Sequence, residues 1–520
     1  MSGLKTSKIN IVRDEVEDQV SIVKIDKIIF WLFLGSLALI PLAIGAKSKM
    51  FISPFISGNG IMMTGYQLDF FTYFKLVFLL FFTIIALGLF LYKIIFLNYK
   101  IKSGLVFYLL VIFIAALVLS VVMADYKTIA LWGLSNRHDG AMTFICYAVL
   151  MIIALNITYP KNALNKLVYS LYPFVWINLL ISLLNLYGIN ILSHQLFQKL
   201  FTIFLIDEMS INEGSVLTGT LNQWNYMSGY SSVMTVIFLT LTVFQGPIKF
   251  RIANLLTSIA AFSTILASIS TSGFVSLIIT IFFLLLLIFI KENKKKSLVW
   301  FASFGILAIM STGILSKHNP QVWTESVGFF TEANPFVQVE ESFQESLFDK
   351  NKVSAADPEL RLPVLPERTL SGGSGRIYIW ENMIPLIKER PLFGYGLDTL
   401  TYHFPQNDIN KRDGFMYENV LIDKPHNLYM GILYGTGLLG FIGLLSIIVI
   451  YTNKLLIDTY KNSKSPISWA FTLGWGAFLL QAIFNDSVIG ATIVPLLATS
   501  IVYTIVSRKV EEEILWTKKR

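Results

Sequence analysis

The stretch "LIDKPHNLYMGILYGTGLLG" (421–440) sets five polar or turn-forming residues, Asp423 to Asn427, directly against an apolar run spaced by glycines. Continued to about residue 452, that run is long enough to cross a bilayer, for which about 20 residues suffice. The polar cluster then stands where lipid headgroups meet water. Similar runs lie near 28–46, 70–97, 104–123, 141–157, 166–188, 224–245, 251–269, 272–290, 298–315, 466–484 and 488–507. The chain has 520 residues, 54% of them hydrophobic and only 14% charged, against about 25% charged in soluble domains. The expected fold is therefore all-α: a polytopic integral membrane protein of about 12 transmembrane helices.

The loops carry the orientation signal. Lys24 and Lys27 precede the first span; Lys100 and Lys102 follow the second, Lys161 and Lys166 the fourth, and Lys249 and Arg251 the sixth. "KENKKK" (291–296) follows the eighth, and Lys454, Lys461 and Lys464 the tenth. Every second connection is basic, which predicts cytoplasmic termini under the positive-inside rule. The expected organisation is a cytoplasmic tail (1–27), helices 1–9 (28–316), a large extracytoplasmic loop between helices 9 and 10 (317–424), helices 10–12 (425–507) and a cytoplasmic tail (508–520). The net charge of +8 resides in these short loops. It reads as a topology signal and as contact with anionic membrane lipid, not as a nucleic-acid surface. A single cysteine, Cys146, excludes an internal disulfide and makes a cysteine-based metal site implausible.

The large loop is too long for an ordinary connection. Its first half is acidic and contains Ser and Pro; its second half regains a helical pattern from Arg376 to Glu389. "SGGSGRIYIWENMIPLIKERPLFGYG" (371–396) opens with glycines that permit a sharp turn. Arg376 and Trp380, four residues apart, share a helix face. Arg376 is either a surface arginine paired with a glutamate or the guanidinium of an anion site in a helix's first turn. Asp398 follows a glycine turn, where it can cap the next helix or orient a partner. His426 stands at the bilayer boundary, where histidine suits proton transfer near neutrality. The plainer reading is an interfacial ring packed beside Tyr429. Asp423 is close enough in sequence to orient the imidazole, Pro425 is placed to start the helix, and Asn427 can hydrogen-bond at its first turn.

These pieces together resemble the O-antigen ligase and polymerase superfamily of bacterial membrane glycosyltransferases. The resemblance rests on "ALWGLSNRHDGAMTF" (130–144), "GTLNQWNYMSGY" (219–230), "GSGRIYIW" (373–380), "FGYGLDTL" (393–400) and "DKPHNLYMGILYGTGLLG" (423–440), in that order and on one membrane face. It covers roughly residues 120–500. It implies a helical bundle with no metal or other cofactor. The implied partners are an undecaprenyl-diphosphate-linked oligosaccharide donor and a glycan acceptor: a lipid-linked repeat, wall glycan or another acceptor. By resemblance, Arg376 holds the diphosphate and His426 activates the acceptor hydroxyl or binds phosphate. Arg137, Asn225, Trp380, Asp398, Asp423 and Asn427 are the expected binding residues. Relatives often carry Ser-Arg-Gly at the start of a middle span, where this chain has Thr271-Ser272-Gly273. Arg137 is the candidate to replace that charge, and an ion pair with Asp139 is its plainer role. Where relatives often have Asn-Pro-Asn, Gln223-Trp224-Asn225 matches only at Asn225.

Two function classes compete. One is an enzyme that transfers or polymerises a lipid-linked glycan at the extracytoplasmic face. Abundant Ile, Lys and Phe suggest an AT-rich genome and a host without an outer membrane, which favours a polymerase of capsular, exopolysaccharide or cell-wall material over a ligase. The other is a flippase for lipid-linked oligosaccharides, against which stand the absence of internal repeats and the sparse intramembrane charge.

Overall fold

The computed structural model describes residues 15–51, 64–189, 191, 197, 199, 219–221, 223–244, 246–290, 294–331, 375–413, 415, 420–461 and 465–518. The start of the N-terminal tail, most of the 189–223 loop, Lys291 to Asn293, the acidic half of the large loop through Ser374, and the last two residues lie outside the described residues.

Sixteen α-helices are described: α1 (Glu15–Leu39), α2 (Tyr73–Phe96), α3 (Leu105–Met123), α4 (Lys127–Trp132), α5 (Ala141–Asn156), α6 (Ala163–Leu186), α7 (Trp224–Phe244), α8 (Ile248–Ala267), α9 (Thr271–Ile290), α10 (Lys294–His318), α11 (Gln321–Thr324), α12 (Arg376–Glu389), α13 (Leu400–His403), α14 (Leu428–Lys461), α15 (Pro466–Gln481) and α16 (Ile489–Lys518). Among the described residues, nine helices are long and apolar enough to cross a membrane. The other three expected spans are also helical: α1, α5 and α15. The protein is thus an all-α polytopic membrane protein in which each expected span has its helix.

Three local features depart from the expectation. The first helix begins at Glu15, inside the segment read as tail, and ends at Leu39. An antiparallel hairpin, β1 (Lys47–Phe51) and β2 (Gly65–Asp69), follows it. The tenth span is not continuous: α14 breaks at Gly437, whose φ of 62° and ψ of −167° belong to a region almost reserved for glycine.

Helix α7 is the axis of the bundle, with 94% of its most apolar window buried. It packs chiefly against α8, α9 and α15. Small and hydroxylated residues allow that approach. Gly273 of α9 lies against Ser228, and Gly474 of α15 against Ile237. Thr235, Thr240 and Thr242 return their hydroxyls to carbonyls one turn back, which satisfies these three donors inside the apolar bundle.

The break in α14 positions the site. Leu438 and Leu439 donate their freed N–H groups to the carbonyls of Pro391 (2.7 Å) and Leu392 (3.3 Å). Tyr395 and Gly396 donate to Tyr434 (3.1 Å) and Gly435 (2.9 Å). The two glycine-rich stretches are therefore stitched backbone to backbone. A Cβ at Gly394 would run into the Tyr434 carbonyl, and one at Gly437 into the backbone of Leu392. Irregular backbone at this depth survives because its polar groups find such partners.

The opposite end of the bundle gathers the basic connections. Lys93 pairs with Asp26, both fully buried, and Asp26 also accepts from the Thr158 N–H at 2.8 Å. Arg508 donates to the carbonyls of Leu155 (3.0 Å) and Ile157 (2.6 Å). Removing one partner of a buried pair costs about 3–5 kcal/mol, so this end is tightly held.

Candidate active site

The site lies at the end of the bundle remote from Lys93 and Asp26, where four connections meet: 133–140, 393–400, 423–427 and 482–488. His426 stands just before α14. Its Nδ1 is 3.0 Å from Asp486 Oδ2, and its side chain is 34% exposed whereas that of Asp486 is 5% exposed. One edge of the ring is thus held by the carboxylate, and the side chain is partly exposed. Asp486 Oδ1 also accepts from the Asn427 N–H at 3.3 Å, and the Tyr226 hydroxyl reaches Oδ2 at 3.5 Å. The expectation that Asp423 orients His426 is corrected: the orienting carboxylate comes from the short α15–α16 connection, and Asp423 is ion-paired with Arg137.

Arg137 spans two segments. It lies 3.4 Å from Asp398 Oδ1 and donates at 3.2 Å to the Asp423 carbonyl, besides its ion pair with the Asp423 carboxylate. Asp398 Oδ2 accepts from the Leu134 N–H at 2.7 Å, so Asp398 orients a partner and does not cap a helix. Asp139 is not the partner of Arg137; it pairs with Lys424 at 3.2 Å. The residues 133–140 are thereby tied to both quoted stretches of the large loop.

Helix α12 starts after Gly375, whose φ of 87° makes the turn expected of the glycine run. Its face presents both candidates toward the site. Arg376 donates at 3.2 Å to the Phe484 carbonyl, two residues before Asp486. Trp380 donates its indole N–H at 2.8 Å to the Pro425 carbonyl, next to His426. Trp380 therefore braces the His426 backbone. Asn427 caps α14, its Oδ1 accepting from the Met430 N–H at 3.0 Å, so the helix starts at Leu428 and not at Pro425. Asn225 accepts from Ser270 at 2.6 Å, while its neighbour Tyr226 faces Asp486. Ser270 also contacts Ser272 at 3.2 Å, which places the position of the absent family arginine beside Asn225.

Burial sorts the charges. Burial pushes the Asp139 carboxyl up to about 7, although Lys424 beside it pulls the other way. Burial also disfavours charge on Lys424, yet the surrounding carboxylates, Asp139 foremost, raise it above the ordinary lysine value and keep it cationic. Burial alone would raise Asp486; its hydrogen bond to His426 and the charges of His426, Lys424 and Arg137 bring it below the ordinary range. Burial lowers Arg376, and the charge of Asp486 partly restores it. An arginine stays cationic through such a change.

A cavity of about 40 Å³ lies among Asp139, Asp398, Asp423, Lys424 and Asp486. It is too small to enclose a sugar, and the charges around it pair with one another. Below Leu428 the lining becomes wholly apolar, with Phe144, Ile447, Tyr451 and Trp475. Among the described residues no group of three or more His, Cys, Asp or Glu is disposed to hold a metal ion.

Sequence reasoning missed Asp486, Asp139, Lys424 and Tyr226 as site residues. Asp486 was findable in principle, since "NDS" (485–487) is a short outer connection bearing one carboxylate at the expected membrane face.

No curated protein matches the chain. Residues 256–445, which include Arg376, Trp380, Asp398, Asp423 and His426, match the family model described as O-antigen ligase, and this match supports the resemblance to that superfamily.

Proposed function

We propose that the protein transfers a glycan from undecaprenyl diphosphate to an acceptor hydroxyl at the extracytoplasmic face of the bacterial cytoplasmic membrane. It acts as a polymerase of capsular, exopolysaccharide or cell-wall polysaccharide in preference to a ligase. The observation that carries this reading is the His426–Asp486 couple held beside Arg376 at the mouth of α14.

With the proton on Nδ1 donated to Asp486, His426 keeps a lone pair on Nε2. The acceptor oxygen attacks the anomeric carbon, and its proton passes to Nε2. The bond from that carbon to the diphosphate oxygen breaks, and the electron pair leaves with the lipid diphosphate. In this reading Arg376, not a metal ion, meets the developing charge; its planar fork suits two phosphate oxygens. Asp486 stabilises the imidazolium that forms. Arg137, paired to two carboxylates, holds the loops in register. The polymerase preference rests on composition.

The test is reconstitution of the purified protein with labelled undecaprenyl-diphosphate oligosaccharide. New glycosidic bonds are expected. Movement of intact lipid between leaflets without bond formation would assign a flippase and overturn the reading.

A further inference from the structure

A second cavity, about 260 Å³, opens between the hairpin and residues 133–140. It shares a loop with the site, because consecutive residues face opposite ways. Arg137 turns to Asp398 and Asp423, whereas His138 turns to Asp69 at 3.3 Å. A positive φ of 53° at His138 accompanies the change of direction.

The hairpin register decides the chemistry of this cavity. Lys47 lies opposite Asp69, and Lys49 opposite Gln67. These four residues alternate with the pleat and so occupy one face of the ribbon. Asp69 is spent locally: its oxygens accept from the N–H groups of Phe71 (3.0 Å) and Thr72 (2.8 Å) and from the Thr72 hydroxyl (2.6 Å). Neither Lys47 nor Lys49 has a carboxylate partner among the described residues; Lys47 lies 5.8 Å from the centre of the Tyr73 ring. The cavity thus has an excess of positive charge. Gln67, Ser135 and Asn136 add amide and hydroxyl groups that both donate and accept, and Tyr73 adds an aromatic ring. Cationic groups beside such polar groups and a ring suit a sugar that carries an anionic substituent.

We infer that this cavity is a saccharide subsite for an anionic residue, bearing a carboxylate or phosphate, of the glycan handled at the neighbouring site. The inference rests on the glycosyl-transfer reading for the identity of the ligand but not for its test. The intact protein in nanodiscs is applied to an array of bacterial capsular and cell-wall oligosaccharides. Each acidic member is paired with its carboxyl-reduced or dephosphorylated neutral form. Acidic members should be retained at least tenfold more strongly than their neutral forms. Lys47→Gln/Lys49→Gln should abolish that preference, and His426→Ala should keep it. Which neutral form loses binding identifies carboxylate or phosphate as the recognised group. Equal retention of acidic and neutral forms, retention indifferent to the two lysines, or no retention would each overturn the subsite. A His426→Ala protein that keeps the anion preference and still makes normal polymer would refute the proposed mechanism while leaving the subsite standing.

Discussion

Asp486→Asn is the sharpest test of the site, because the structure specifies what the amide cannot do. Asp486 presents acceptors to two close donors at once: His426 Nδ1–H at 3.0 Å and the Asn427 N–H at 3.3 Å. The Tyr226 hydroxyl adds a third approach at 3.5 Å. An asparagine has one acceptor oxygen and one donor group. If the oxygen serves Asn427, the NH₂ group faces His426 and the ring must carry its proton on Nε2. That is the nitrogen required to accept the substrate proton. If the oxygen serves His426, the first turn of α14 loses a buried partner. Either way the base is misplaced or the helix start is weakened. A positioned base contributes about 10²–10⁴-fold to rate, or about 2.7–5.4 kcal/mol at 1.36 kcal/mol per decade. The expected result is a loss of that size in turnover, measured as polymer formed by proteoliposomes at saturating donor. Melting temperature and gel-filtration profile control for folding. His426→Gln should fall equally far, since it retains a hydrogen bond but not proton transfer. Wild-type turnover in Asp486→Asn at equal folded protein would refute the histidine–carboxylate mechanism.

Arg376→Lys should lose most activity despite keeping its charge, because an ammonium cannot fork onto two phosphate oxygens; normal polymer from the lysine variant would make Arg376 a scaffold residue. Gly437→Ala should lower the melting temperature by at least the equivalent of about 1–3 kcal/mol, the cost of a strained backbone residue, because its Cβ also meets the Leu392 backbone; an unchanged melting curve would show that α14 tolerates a regular helix there. Asp139, raised to about 7, contributes stability in full below the ordinary value of 3.8 and loses it as pH rises through about 7. The raised Lys424 is lost only above the ordinary lysine value of 10.5, outside that window. His403, lowered by burial, acts in the opposite sense below its ordinary value of 6.5, so the expected outcome is a difference: between about pH 5 and about pH 7.5 the wild type should lose more thermal stability than Asp139→Asn. For topology, an impermeant thiol reagent on intact cells should label Asn410→Cys and spare Lys161→Cys, the native Cys146 being buried; the reverse pattern would invert the protein in the membrane.

The helices were legible because hydropathy and loop charge act over some 20 residues, a length on which no single contact intervenes. Arg376 to Glu389 was legible to the residue, since glycine before it and Pro391 after it are local signals. The pairing of charges was not. Arg137 finds Asp398 and Asp423, more than 260 positions away, and Asp139 finds Lys424, so neighbours in the chain were the wrong guide. The break at Gly437 was hidden for a different reason. Glycines in an apolar run read equally as a packing stripe, and only the docking of residues 391–396 selects the broken form.

That docking bears on how the site keeps its shape. Five described non-glycine residues have positive φ, and three of them are His138, Asp398 and His426. Such backbone costs of order 1–3 kcal/mol each and persists only where the surroundings over-determine it. Here they do. Asp398 is fixed by the Leu134 N–H and Arg137, His138 by Asp69, and His426 by Asp486 on one side and the Trp380–Pro425 bond on the other. The Gly437 break lets residues 391–396 reach α14, which carries Asp398 toward the 133–140 loop. The polar cluster at the mouth of α14 and the glycines within it therefore belong to one device. The glycines admit the loop, the loop brings Asp398 to Arg137, and Arg137 holds Asp423 three residues from the partly exposed His426 ring.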